Sequence, residues 1–132
     1  MPGEREQAGL REHPAESAKV LDALQLIVVE YISAQAEAGA HILQLFEAMG
    51  EFITPPSFEA HALPRMAAIA AELKQRHPDV PLMVFPRGAA YALPKLGECG
   101  FDVLTLDASA DWATVRTELP PVCLQVSEEE AL

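Results

Sequence analysis

At 132 residues, half of them hydrophobic, the chain is long enough for one buried core but short for a complete closed β/α barrel. Nine Lys+Arg against twenty Asp+Glu leave a formal charge of −11, which argues against nucleic acid and anionic lipid surfaces, since both require a basic footprint. No apolar run approaches ~18 residues and the start is too acidic and polar for a targeting peptide, while Cys99 and Cys123 lack any CxxC or Cys/His spacing and read as two reduced core thiols of a cytoplasmic protein.

Residues 1–12 carry no apolar periodicity and read as a mobile lead-in. His13-Pro14 starts a helix, because proline is tolerated where the missing N–H would be unbonded anyway. Val20, Leu21, Leu24, Ile27, Val28, Tyr31 and Ile32 recur at three- and four-residue steps and predict one broad apolar face. Gly39 ends that helix. His41 to Phe46 then reads as a buried parallel strand, left through Glu47-Ala48-Met49-Gly50.

Thr54-Pro55-Pro56-Ser57 opens the next helical region, with Met66, Ile69, Ala70 and Leu73 as its apolar stripe and His77-Pro78-Asp79 as its end. Pro64 predicts a break near Ala62 and two helical pieces. Pro81 to Phe85 is the second strand, followed by the turn Pro86-Arg87-Gly88 and a short helix over 89–97 that buries Tyr91, Leu93 and Leu96. Phe101 to Leu106 is the third strand and Asp107-Ala108-Ser109 its exit. A fourth helix over 112–119, a fourth strand over 122–126 and an acidic tail over 127–132 complete the chain.

Helix and strand alternate four times, and the strands are continuously apolar. That predicts an α/β fold with a parallel sheet covered on both faces, its strand C-termini on one rim. Four such units make half of an eight-stranded β/α barrel, or a small open sheet. Functional residues in parallel β/α folds follow the strand ends, so Phe46 to Gly50 is the first place to look for chemistry. It holds one acid, one glycine and no nucleophile. Glu47 and Asp107 are rim acids whose simpler roles are hydrogen bonding and, for Asp107, capping the following helix. Arg87 with Gly88 can bind an anion or serve as a solvated turn. His13, His41, His61 and His77 show no paired ligand spacing, and no metal site is expected.

The stretch over 13–48, HPAESAKVLDALQLIVVEYISAQAEAGAHILQLFEA, resembles the uroporphyrinogen decarboxylase family, in which a helix ending in Q-x-x-A-G-A leads into L-Q-L/I-F-E/D-S. Gln35, Ala38, Gly39, Ala40 and Leu43 to Glu47 stand at those positions. ITPPSFEAHALP is similar to the family's S-P-x-x-F…P helix start, Pro64 included. PLMVFPRGAAYALPKLGECGFDVLTLD is similar to its strand, basic-Gly turn, helix and G-[FY]-D-V-x-x-L-D. The resemblance covers roughly residues 12–125.

The resemblance implies an eight-stranded barrel, usually a homodimer, in tetrapyrrole biosynthesis. Such a carboxy-lyase takes the four acetate side chains of uroporphyrinogen to methyls, giving coproporphyrinogen, with no cofactor; the pyrroles act as electron sink. It also implies that Phe46 and the position of Ala48 contact substrate, with Glu47, Arg87 and Asp107 as weaker rim candidates. Departures accompany it: Ala48 replaces a serine, Leu106-Asp107-Ala108-Ser109 lacks the aromatic of L-D-W-[TS], and the late strand diverges at Val126. No counterpart stands here for the family's N-terminal arginines, pyrrole-binding aspartate, active-site tyrosine or G-H-G histidine. The expectation is an interior slice of the family that is a homo-oligomer or pairs with the missing half, the alternative being a non-catalytic, truncated half-barrel. The zinc-dependent methyltransferases of the same superfamily need H-x-C where this chain has Phe85-Pro86-Arg87-Gly88.

Overall fold

Four short strands rich in Leu, Val and Phe, β1 (Leu43–Glu47), β2 (Leu82–Pro86), β3 (Val103–Leu106) and β4 (Cys123–Val126), form one parallel sheet in the order β1-β2-β3-β4. The structure is a computed structural model that describes residues 4–108 and 110–126. Leu43 pairs with Leu82, Met83 with Val103 and Val103 with Cys123, so one register runs across the sheet. The helical segments are α1 (Glu4–Glu12), α2 (Pro14–Glu37), α3 (Pro55–Ser57), α4 (Leu63–Arg76), α5 (Leu93–Gly97) and α6 (Trp112–Glu118).

Sequential parallel order decides between the two architectures. Right-handed crossovers between consecutive neighbours place every helix on the same face of the sheet. An open doubly wound sheet reverses its strand order to cover both faces; this one does not. The arrangement is that of a barrel sector, and the uncovered face corresponds to a barrel interior. The expectation of a sheet covered on both faces is corrected here.

Side chains alternate between faces along each strand. Leu43, Leu45, Leu82, Val84 and Leu104 point at the helices and are buried, joining Val29, Ile32, Phe58, Met66, Ile69, Leu73, Leu93 and Leu96 in the core. The inner face carries Gln44, Phe46, Phe85, Thr105, Cys123 and Gln125. Gln44 Nε2 donates to Thr105 Oγ1 (3.4 Å), and Thr105 Oγ1 donates to Gln125 Oε1 (3.1 Å). This polar ladder ties β1, β3 and β4 together across the inner face.

Several elements differ from the sequence expectation. The lead-in is helical over Glu4–Glu12 and is held by Gln7 Nε2 donating to the Phe52 carbonyl (2.8 Å) and by Ser17 Oγ donating to the Gly9 carbonyl (3.1 Å). The apolar face of α2 is two faces. Val29, Ile32 and Ser33 meet the core, whereas Val20, Leu24, Ile27 and Tyr31 lie on the opposite side and are 59%, 49%, 62% and 70% exposed.

The irregularity expected from Pro64 near Ala62 is present. A π-turn over Phe58–Ala62 bridges α3 to α4, the Leu63 N–H reaching back to the Phe58 carbonyl. The extra residue puts Pro64 in the first turn of α4, where no donor is required. Cross-ties then fix the helix layer: Arg65 to Asp22 (2.7 Å), Arg76 to Glu30 (2.8 Å) and the His77 Nε2–Ser33 Oγ pair (2.6 Å). The expected acidic tail and Ser109 lie outside the described residues.

Candidate functional site

The C-terminal ends of β1, β2 and β3 deliver Glu47, Arg87 and Asp107 to one rim, as the strand order requires. The loops that follow are interlocked. Gly50 N–H donates to the Arg87 carbonyl (3.2 Å), and its Cα approaches Ala89 so closely that a Cβ would lie 2.5 Å from the Ala89 Cβ. Gly88, at φ +74°, donates its N–H to Asp107 Oδ2 (2.6 Å). A carboxylate at the end of β3 therefore holds the turn after β2, which in turn seats the loop after β1.

Asp107 thus works backwards along the sheet, and the expected cap on the following helix is supplied by another residue. Asp111 accepts from Ala113 N–H (3.1 Å) and Thr114 Oγ1 (2.7 Å), and those bonds lower its carboxyl pKa. Glu47 Oε1 accepts from Met49 N–H (2.6 Å), the hydrogen-bonding role expected of it. Ala48 is exposed on the rim.

Tyr91, expected to be buried, is partly exposed. Its hydroxyl donates to the Gly50 (3.2 Å) and Ile53 (3.3 Å) carbonyls, and its ring meets Phe58 edge-on at 5.7 Å. Burial and then the charge of Glu47 raise its pKa, so the phenol stays a donor.

Phe46 is 64% exposed rather than buried, because it sits on the uncovered inner face; it touches Phe85 edge-on at 6.3 Å. Arg87 is exposed, and its guanidinium makes no hydrogen bond or ion pair among the described residues. The rim around it is acidic, with Glu47, Glu51, Asp107 and Asp111 on the same loops. Cys123 is exposed on the inner face rather than in the core, while Cys99 is half-buried with its thiol pKa raised by burial and then by Glu98; both are free.

Sequence spacing gave no sign that His13 and His61 share a site. Both line a groove of about 590 Å³ at the upper end of α2, with Glu16, Glu47, Leu10 and Ile53. A second groove of about 300 Å³ continues from it between α2 and α4 past Leu45 and Phe46, along the free edge of β1. His13 and Glu16 come from the start of the expected helix, whereas Leu10 reaches the groove through the helical setting of residues 4–12, which had no periodic signal. No group of three or more His, Cys, Asp or Glu among the described residues could hold a metal ion. No helix there is long and apolar enough to cross a membrane.

The singly wound parallel sheet, with its interlocked loops at the strand C-termini, defines the class as a sector of a β/α barrel. Comparison with known proteins narrows it. The sequence model of the uroporphyrinogen decarboxylase (URO-D) family matches residues 5–125. A uroporphyrinogen decarboxylase of Salinibacter ruber is 41% identical over 102 residues, which cover 77% of this chain and 29% of that protein. Those of Dictyostelium discoideum and Rhizorhabdus wittichii are 36% identical over 108 residues and 37% over 123, covering 81% and 89% of this chain. The chain belongs to the uroporphyrinogen decarboxylase family. It spans 29%, 30% and 36% of the lengths of these three relatives.

Proposed function

We propose that residues 13–126 form four consecutive β/α units of a uroporphyrinogen decarboxylase barrel and present part of its substrate-facing rim. The substrate is the tetrapyrrole uroporphyrinogen. The reaction is loss of CO2 from its acetate side chains to give coproporphyrinogen, without a cofactor, the pyrroles serving as electron sink. One observation carries this reading: a family match over residues 5–125 falls on a sheet whose strand order is that of a barrel sector, with Leu43-Gln44-Leu45-Phe46-Glu47 ending at the rim.

In this reading Phe46 offers an aromatic wall to the macrocycle, and Ala48 lines the same side without the hydroxyl a serine would add. Arg87 is the rim's cation for a substrate carboxylate, since no acid of the described residues neutralises it. Glu47 and Asp107 set the loops that carry these groups. Two free thiols support residence in the reducing cytoplasm. The free edges of β1 and β4 support pairing, either with a second copy or with the remaining strands of a barrel.

A second reading, a non-catalytic half-barrel, is favoured by one specific feature. Four acids and a single unpaired arginine surround a rim that would meet a polyanion, and a productive cleft needs the opposite sign. Titration of the chain with uroporphyrinogen under reducing conditions separates the readings. Weak, salt-sensitive binding that Arg87→Ala reduces severalfold supports a substrate-facing rim. Binding indifferent to both salt and Arg87→Ala would remove the tetrapyrrole assignment.

A further inference from the structure

The four residues Pro86 to Ala89 make one hydrogen-bonded turn, the Ala89 N–H donating to the Pro86 carbonyl (2.9 Å). Gly88, at its third position, has φ +74°, and among the described residues only glycines have positive φ. A positive φ confined to the third position defines a type II turn, with Arg87 second. Types I and II differ by a rotation of about 150° in the peptide between those two central residues, so that peptide is the part of the turn that can flip.

Here both ends of the central peptide are held, each by a different strand's exit. Its oxygen, the Arg87 carbonyl, accepts from the Gly50 N–H (3.2 Å) on the loop after β1. Its N–H, that of Gly88, donates to Asp107 Oδ2 (2.6 Å) at the end of β3. A flipped peptide would turn its oxygen toward the carboxylate and its N–H toward the Gly50 N–H, which makes both contacts repulsive. Gly50 is buried, and an N–H left unpaired there is costly. These groups lie between β1 and β3, inside the sheet order rather than at either edge of it.

The same peptide fixes how two loops sit together. Gly50 closes the exit Glu47-Ala48-Met49-Gly50, so the Arg87 carbonyl anchors the loop that carries the exposed Ala48, and the Tyr91 hydroxyl holds the Gly50 carbonyl (3.2 Å) from the far side. Arg87 is exposed on the turn itself. As a charge alone, Asp107 opposes a polyanion at this rim. As an acceptor, it selects the orientation of the peptide between the two loops.

We propose that Asp107 is a positioning residue: its carboxylate holds the Arg87–Gly88 peptide in the type II orientation and so sets Arg87 and the Ala48 loop in one arrangement for a substrate carboxylate. This rests on the substrate-facing rim proposed above. Asp107 acts through the turn, not on the substrate.

Two substitutions separate the acceptor from the charge. Asp107→Asn and Asp107→Ala remove the same negative charge, and only asparagine keeps an oxygen for the Gly88 N–H. In titrations of the full chain with uroporphyrinogen, Asp107→Asn is expected to bind at least as tightly as wild type. Asp107→Ala is expected to bind about 10-fold more weakly than Asp107→Asn, with a shallower salt dependence. In an Arg87→Ala background the two variants should bind alike, which a general loss of structure would not produce. Equal binding by Asp107→Asn and Asp107→Ala overturns the inference, as does a gap that persists without Arg87. If Asp107→Ala fails to fold, Asp107→Asn alone decides: binding weaker than wild type overturns the inference.

Amide hydrogen exchange without ligand keeps this proposal distinct from the substrate reading. The Gly88 and Gly50 N–H groups should exchange slowly in wild type and Asp107→Asn, and both should quicken in Asp107→Ala. A Gly50 N–H unaffected by Asp107→Ala overturns the coupling of the two loops even if uroporphyrinogen binds. That exchange pattern in a chain that does not bind uroporphyrinogen would uphold the hold of Asp107 on the turn and remove the substrate reading instead.

Discussion

Replacing Gly88 by alanine tests the interlocked rim quantitatively. Two costs meet at this residue. Its φ of +74° is one that L side chains rarely adopt, and the penalty for a Cβ there is about 1–2 kcal/mol. The Cβ would also lie 2.7 Å from the Glu51 backbone nitrogen and 2.9 Å from the Glu51 Cβ, so the loop after β1 must move. Overpacking of that kind costs about 1–3 kcal/mol more.

Gly39 provides the internal control. It has φ +103°, yet a Cβ there would meet nothing within 4 Å, so Gly39→Ala carries the conformational penalty alone. Urea and thermal unfolding of the two variants should therefore separate them by about 2 kcal/mol, or about 6–8 °C in Tm for a chain of this length. Equal destabilisation by the two substitutions would mean that the loops after β1 and β2 are not seated on one another.

Three further outcomes follow from named contacts. Burial works to raise the Asp102 carboxyl pKa, but the hydrogen bond from Lys74, the Leu82 N–H and the Lys74 charge outweigh it, and the pKa is lowered. A lowered folded-state pKa stabilises the fold above the ordinary carboxylate range and loses that contribution as pH falls through the folded value. Asp102→Asn should thus cost stability at pH 7 and flatten the acid limb of a pH–stability curve. Asp111→Ala removes the cap of α6 and should speed amide exchange in 112–118 while leaving α4 unchanged. Thr105→Val breaks the ladder from Gln44 to Gln125 and should cost about 1 kcal/mol or less, because Gln44 is half-buried and Gln125 exposed, and water can take the place of the lost hydroxyl. A neutral Thr105→Val would show that the ladder is incidental.

The order of elements and most of their limits were legible because apolar spacing and breakers agree locally. Leu82 to Phe85, bounded by Pro81 and the Arg87-Gly88 turn, could be little else than a buried strand. What the spacing could not reveal was the environment of each face. Ile27 and Ile32 are equally apolar on paper, yet one is exposed and the other buried, because α2 leans on α4 and leaves its far side open. Phe46 is exposed for the same reason: its strand is apolar throughout, but its inner face has no cover here.

Asp107 shows a different limit. Its position before a helix resembles a cap, and only the fold reveals that it accepts from the N–H of Gly88, nineteen residues earlier. Pro64 was correctly marked as awkward, but the remedy, one extra residue in a π-turn, leaves no composition signal. The grouping of Glu47, Arg87 and Asp107 on one rim was readable, since strand C-termini in a parallel sheet converge by topology. The joining of His13 with His61 was not.

The most direct test is transplantation. The 102 matching residues of the Salinibacter ruber relative should be replaced by their counterparts from this chain, and the product of uroporphyrinogen turnover should be measured by chromatography. A folded chimera that yields coproporphyrinogen, with Ala48→Ser raising its rate, is the result expected of a genuine barrel sector. A chimera that folds with native helix content but neither binds nor converts uroporphyrinogen, even with Ala48→Ser, would contradict it.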